Sequence, residues 1–249
     1  MTGGLQRSAR QAALAALSLG ASALPAAAQS LTLDFGAEGS TTGRLVELIV
    51  LMTVLSLAPG ILVMVTSFTR IIVVLSFLRS ALGVQQTPPN IVMVSLALFL
   101  TGFIMAPVLE RSYRDGIAPL IAEEIDQGEA FERTMAPLHG FMIAQVRAQD
   151  LEMFLDLGGT AEVATPEATP LSALVPAFMI SELRRAFEIG FLLFVPFLII
   201  DMVVASVLMS MGMMMLPPVM ISLPFKLIFF VLVDGWYLVT GSLVRSFGV

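Results

Sequence analysis

The sequence predicts an all-α, membrane-associated fold built from kinked apolar helical hairpins. Of the 249 residues, 57% are hydrophobic and only 13% are charged, whereas soluble domains carry about 25% charged residues. The mean hydropathy of +0.92 is typical of a chain that cannot hide its apolar surface from water as a monomer. Apolar runs of about 20 residues, the length of a helix that crosses a bilayer, recur along the chain. Several of them contain a proline, which kinks an apolar helix.

The composition also excludes several kinds of site. The net charge of −6 argues against nucleic acid as a partner. The chain has no cysteine and one histidine, His139, so disulfides, thiol chemistry and Cys/His zinc sites are excluded. We expect His139 to be a surface or packing residue. The sequence therefore predicts no cofactor, no metal and no enzymatic activity.

Residues 1–28 have the pattern of a secretory signal peptide. Arg7 and Arg10 precede a short Ala/Leu-rich run, and small residues follow at 26–28. The alternative is a short amphipathic or disordered tail. A signal peptide implies a bacterial inner-membrane protein whose mature N-terminus starts outside the cytoplasm, in the polar leader at 29–44.

Residues 45–110 predict an N-terminal apolar helical hairpin. The runs at 45–65 and 68–84 form either one long broken helix or a tight hairpin, with Pro59 interrupting the first run. A turn containing a proline pair separates them from a clear span at 91–109.

Residues 111–172 predict an acidic helical segment that ends in a linker. Acidic residues outnumber basic ones here, and apolar residues recur at helical spacing. Residues 158–172 are rich in Gly, Thr and Pro, which is typical of a flexible linker.

Residues 173–249 predict a C-terminal apolar hairpin. A span at 186–211 is followed by a turn rich in methionine and proline, and a final span runs over 221–244. Methionine is flexible and polarisable, so the thioethers Met213, Met214 and Met215 suit two roles. They could form an apolar constriction contributed by several subunits, or they could fill gaps in ordinary hairpin packing, which is the simpler interpretation of the residues alone.

Four charges stand where this last apolar region begins. They are Glu182, Arg184, Arg185 and Glu188. The spacings of three and four residues place opposite charges side by side on a helix. They predict either ion pairs that orient the helix or join subunits, or a solvated helix start at the membrane interface.

Five more charges stand isolated in apolar surroundings. They are Glu47, Arg70, Asp201, Lys226 and Asp234. A bare charge in hydrocarbon costs at least ~2.5 kcal/mol, so each should pair or face water or protein. Such residues favour helices that contact other subunits. The alternative is a proton-coupled secondary transporter that uses Asp201, although no second carboxylate follows it at helical spacing.

Three stretches resemble the signature blocks of the FliP family, which includes the SctR-type proteins of virulence type III secretion. They are "APGILVMVTSFTRIIVVLSFLRSALGVQQTPPN" at 58–90, "PAFMISELRRAFEIGF" at 176–191 and "LPFKLIFFVLVDGW" at 223–236. The resemblance covers residues 45–110 and 175–249, and motifs of this length are very specific. The polar leader and the acidic segment resemble the family only in general character.

The resemblance implies the export gate of a type III secretion apparatus, of flagellar type. In that family several copies, expected to be five, assemble with FliQ-type, FliR-type and FlhB-type subunits into a closed helical cone that passes unfolded export substrates. Its methionine-rich loop acts as the gasket of the pore. In this sequence the loop residues are Met211, Met213, Met214 and Met215. The resemblance further implies a location in the bacterial inner membrane at the flagellar basal body, with a periplasmic portion.

Overall fold

The computed structural model describes residues 41–84, 87–159, 165–213 and 216–248, and no β-strand occurs in these ranges. The helices are α1 (Thr41–Met64), α2 (Phe68–Leu82), α3 (Asn90–Ser112), α4 (Ala118–Ile121), α5 (Gln127–Gln145), α6 (Ala148–Leu157), α7 (Leu171–Ser210), α8 (Pro218–Leu232) and α9 (Gly235–Arg245). A π-helical segment, Tyr113–Ile117, joins α3 to α4, and a 3₁₀ turn, Pro166–Ala168, precedes α7. The all-α prediction is confirmed. The proposed signal peptide, most of the leader, Met214 and Met215 lie outside the described residues.

Apolar helices long enough to cross a membrane occur twice in the part of the chain that the structure describes. They are Asn90–Ile121 and Leu171–Ser210. A third span exists if α8 and α9 are counted together, although the two helices meet at an angle of 64°. The prediction of membrane helices is confirmed.

The predicted final span at 221–244 is broken rather than continuous. α8 ends at Leu232 and α9 starts at Gly235. Between them Asp234 has φ +50°, in the left-handed region that L-residues other than Asn and Asp rarely adopt. Gly235 allows the bend to close, because a Cβ there would lie 2.1 Å from the ring of Phe230.

Helix α7 is longer than the sequence predicted. It runs for 40 residues and includes Pro176 and Pro196, whereas the sequence predicted a linker up to residue 172 and a span from residue 186. Each proline removes one backbone hydrogen bond, but packing against neighbouring helices can offset that loss inside a long apolar helix. The charged set around Glu182 therefore lies within a helix, not at its start.

The chain divides at Met52–Thr53 into two units, and the packing described here lies within the second. Helix α2 is central to it. Apolar residues repeat every three or four positions along α2, and Ile71, Val74, Leu75 and Leu78 are buried against α3 and α7. The close approach of α7 requires Gly190, because a Cβ there would lie 2.5 Å from the ring of Phe77.

Candidate functional site

The loop between α7 and α8 is fixed at both ends. Helix α7 ends in a Schellman motif: the Gly212 N–H donates to the Met209 carbonyl (3.1 Å) and the Met213 N–H to the Leu208 carbonyl (3.0 Å). Gly212 supplies the left-handed residue, at φ +73°. On the other side Pro218 is the first residue of α8, where a missing N–H costs nothing. The loop is therefore short, with defined entry and exit.

The two loop methionines that the structure describes, Met211 and Met213, project from the packed part of the chain. Met211 is 66% exposed and Met213 is 40% exposed, whereas Met142, in the core, has no exposed surface. An exposed thioether on a short loop offers soft apolar surface to another molecule or to another copy of the chain.

An ion pair between the buried Lys226 and the partly exposed Asp201 joins three helices. Lys226 Nζ of α8 donates to Asp201 Oδ2 of α7 at 2.7 Å and to the Ala81 carbonyl of α2 at 3.0 Å. Ser222 Oγ donates to the other oxygen, Asp201 Oδ1, at 2.5 Å. The Lys226 side chain is 4% exposed. Since Ala81 lies in the last turn of α2, the ammonium also faces the negative end of that helix.

A second ion pair, which is buried, joins Glu182 of α7 to Arg70 of α2. Arg70 Nε donates to Glu182 Oε2 at 2.9 Å, and Arg70 Nη2 donates to Glu182 Oε1. The pair is bidentate, which is the stronger geometry for a guanidinium and a carboxylate. Neither residue has exposed surface.

The remaining guanidinium hydrogens of Arg70 have partners as well. Nη1 donates to the carbonyl and to Oγ of Ser246, each at 3.0 Å, and Nη2 to Gln145 Oε1 at 3.1 Å. The Phe247 ring lies under the guanidinium, 3.7 Å from centroid to Cζ, which is a cation–π arrangement. Arg70 therefore connects α2, α5, α7 and the residues after α9.

The four charges predicted as one set separate into two environments. Glu182 bonds Arg70, and Arg185 Nη1 donates to Gln145 Oε1 at 2.8 Å. Arg184 Nε and Glu188 Oε1 form an ion pair at 2.9 Å on the exposed side of the helix. The sequence placed Glu182 beside Arg185 and left Arg70 isolated, whereas the structure pairs Glu182 with Arg70.

Several residues of these networks carry no signal in the sequence. Gln145, Ser246 and Phe247 are ordinary polar and aromatic residues in sequence, and only the tertiary fold brings them to Arg70. Ala81 contributes only its backbone. His139, singled out as the one histidine, lies with Nε2 2.8 Å from the Thr169 carbonyl, which is a packing role.

Comparison with known proteins decides the family. The model of the FliP family matches residues 51–243. The chain belongs to the FliP family.

Its FliP relatives share most of their length with it. The flagellar biosynthetic protein FliP of Caulobacter vibrioides is 59% identical over 244 residues, which cover 98% of this chain and 92% of the relative. The proteins of the same name from Rhizobium meliloti (52%, covering 89% and 93%) and Bacillus subtilis (54%, covering 81% and 91%) are similar. The range that matches the FliP family contains the methionine loop and both ion pairs, Arg70–Glu182 and Lys226–Asp201, and it ends before Ser246 and Phe247.

Proposed function

We propose that the chain is a core subunit of the flagellar type III protein export gate and has no enzymatic role. On this proposal several copies, expected to be five, assemble with FliQ-type, FliR-type and FlhB-type subunits in the bacterial inner membrane at the basal body, with part of the chain in the periplasm. Together they form the channel for unfolded flagellar substrates. Family membership supports the proposal, since the relatives are named for flagellar biosynthesis.

The methionine loop is the observation that carries the proposal. Its ends are held by a Schellman motif and a proline pair, whereas Met211 and Met213 are exposed between them. We propose that Met211, Met213, Met214 and Met215 of several copies form a gasket. Flexible, apolar side chains exclude water and ions from a closed constriction and still yield to a passing chain.

The exposed apolar surface supports assembly into a larger complex. Large side chains on α7 and α8 lie outward, including Phe191, Leu192, Val231 and Leu232. Patches of this kind must be covered by lipid or by protein. The exposed pair Arg184–Glu188 is available for contacts between subunits.

The domain organisation belongs to the proposal too. Residues 1–28 serve as a signal peptide that precedes the leader at 29–44. The apolar hairpins at 45–110 and 173–249 supply the channel, and the acidic segment with its linker at 111–172 lies on the outer side.

The geometry of Asp201 disfavours a proton-coupled transporter. Both carboxylate oxygens already accept hydrogen bonds, one from Lys226 and one from Ser222. A proton relay needs a carboxylate that is free to exchange protons, whereas this one is bound to two residues of α8 and links that helix to α7. We therefore propose a structural role for Asp201 and Lys226.

The test of the gasket is ion leakage. The variant Met213→Ala/Met214→Ala/Met215→Ala should let small ions cross the inner membrane of cells that still export flagellar substrates. The control removes three exposed methionines elsewhere, in Met64→Ala/Met153→Ala/Met202→Ala, and should leave the membrane as tight as in wild type. A loop variant that assembles, exports and does not leak would refute the gasket.

A further inference from the structure

Exposed sulfur is concentrated in and beside the methionine loop. The chain has 16 methionines and no cysteine, and six of the methionines fall within residues 209–220. The structure describes the side chains of four of these six, and all four are exposed: Met209, Met211, Met213 and Met220. Met105 and Met142, in contrast, are buried among the packed helices. Among the described residues, the densest group of accessible thioethers therefore coincides with the proposed gasket.

The described part of the loop has no free hydrogen-bond donor for an added oxygen atom. Its N–H groups already donate to carbonyls of the chain; they belong to Met211, Gly212, Met213 and Leu216. Pro217 and Pro218 have no N–H. The adjacent hydroxyl, Ser210 Oγ, donates to the Val207 carbonyl at 2.7 Å. An oxygen added to a loop thioether would therefore take its hydrogen bonds from water, because a polar atom without a partner is costly to keep dry.

We propose that the methionine loop is an oxidation site, and that its substrate is a small oxygen-transferring oxidant of the hypochlorous acid type. Oxidation of Met211 and Met213, together with Met214 and Met215 in the same loop, makes the closed gate leak small ions. The proposal rests on the proposed function in one respect, which is that the loop seals a channel.

The reaction is a transfer of one oxygen atom to sulfur. A lone pair of the thioether sulfur attacks the oxygen of hypochlorous acid, so an S–O bond forms while the O–Cl bond breaks. Chloride leaves, and the hydroxyl proton goes to water. Sulfur loses the two electrons that chlorine gains, and the product is methionine sulfoxide, which is polar where the thioether was apolar.

A polar loop cannot keep an apolar constriction dry. A hydrophobic gate excludes water and ions only while its lining stays apolar. The closed constriction separates two aqueous spaces, so the side chains at its rim face water and a small neutral oxidant reaches them. Because the described loop has no free donor for the sulfoxide oxygen, that oxygen recruits water into the constriction, and ions follow the water.

The experiment measures oxidation and leakage in the same sample. Inner-membrane vesicles that carry the whole export complex receive increasing doses of hypochlorous acid, and a potential-sensitive dye reports the ion leak. Mass spectrometry of peptides then locates the sulfoxides. We expect sulfoxide at Met211 and Met213 before it appears at Met105 or Met142. The leak should rise with the sulfoxide content of the loop, at least about tenfold in total, which corresponds to about 1.4 kcal/mol in favour of the hydrated constriction.

A loop without sulfur tests the cause. Met211→Leu/Met213→Leu/Met214→Leu/Met215→Leu keeps the side chains apolar and removes the site of oxidation. Each variant is compared with itself before the oxidant is added, and the leak of this variant should not rise. If it fails to assemble, Met211→Leu/Met213→Leu serves in its place and should show a smaller rise than wild type.

The matched control removes exposed sulfur from other parts of the chain. Met64→Leu/Met153→Leu/Met202→Leu changes three exposed methionines and should leak after oxidation as much as wild type does. The proposal is overturned if the loop methionines stay unoxidised, if they are oxidised without a leak, or if the loop variant without sulfur leaks as much as wild type after the same dose.

The alanine variant of the loop, Met213→Ala/Met214→Ala/Met215→Ala, separates this proposal from the proposed function. If that variant leaks while the oxidised wild type stays tight, the gasket stands and the oxidation site is rejected. If the alanine variant stays tight while the wild type leaks after oxidation of the loop, the loop remains the oxidation site and the claim that methionine bulk makes the seal is rejected.

Discussion

The buried pair Arg70–Glu182 gives the sharpest prediction about stability. Arg70→Met keeps the apolar stem of the side chain but leaves the fully buried Glu182 carboxylate without its cation. Breaking such a pair costs about 3–5 kcal/mol. For a chain of this size each kcal/mol shifts the Tm by roughly 2–4 °C, so the Tm should fall by roughly 6–20 °C.

The exposed pair Arg184–Glu188 is the matched control. Its side chains are 56% and 59% exposed, and exposed pairs contribute about 0–1 kcal/mol. Arg184→Met should therefore lower the Tm by less than about 4 °C. Both variants are compared by circular dichroism during heating, in the same detergent.

The double variant Arg70→Met/Glu182→Leu isolates the cause. Because it removes both charges of this pair, it should regain most of the lost stability, and the two sites should show strong coupling in a double-mutant cycle. Equal Tm values for Arg70→Met and Arg184→Met, or a double variant less stable than Arg70→Met, would refute this account of the Arg70 network.

Two further predictions concern Asp201 and the packing of α2 on α7. Asp201→Asn should reduce the amount of assembled complex, because Lys226 is left buried without its carboxylate. The amount is measured by native gel after detergent extraction. An intact complex that has lost transport would favour the transporter instead. Gly190→Ala should destabilise the chain by about 1–3 kcal/mol, because the new Cβ meets the Phe77 ring. The control Gly102→Ala has open space around the new Cβ, so it should be neutral or stabilising by up to about 1 kcal/mol. Equal effects of the two variants in thermal unfolding would contradict the packing described for Gly190.

Local patterns predicted much of the fold. Long apolar runs predicted the helices, because the residues that form the apolar surface of a membrane helix are neighbours in sequence. The exposed Arg184–Glu188 pair is local in the same sense, since four residues span one helical turn.

Tertiary contacts and backbone strain could not be predicted in this way. The partner of Glu182 lies 112 positions away, and many acidic and basic residues would satisfy the same chemistry. The bend at Asp234 depends on a left-handed residue inside an apolar run, and the pattern of hydrophobicity there is the same for a straight helix and a broken one. The length of α7 was underestimated because Pro176 and the charges after it resemble a helix start, although packing holds them inside one helix.

The most direct test of the central claim is whether loops of separate copies meet at the pore. The chain has no cysteine, so Met213→Cys introduces a single thiol at an exposed loop position. In the assembled complex, mild oxidation should link this chain to a second copy of itself, because cysteines that approach to about 4.4–6.8 Å between Cα atoms form disulfides; the unassembled chain should not cross-link. A thiol that reacts only with a lipid-soluble maleimide, with no link between copies in a complete and functional complex, would contradict the claim that this loop closes a channel.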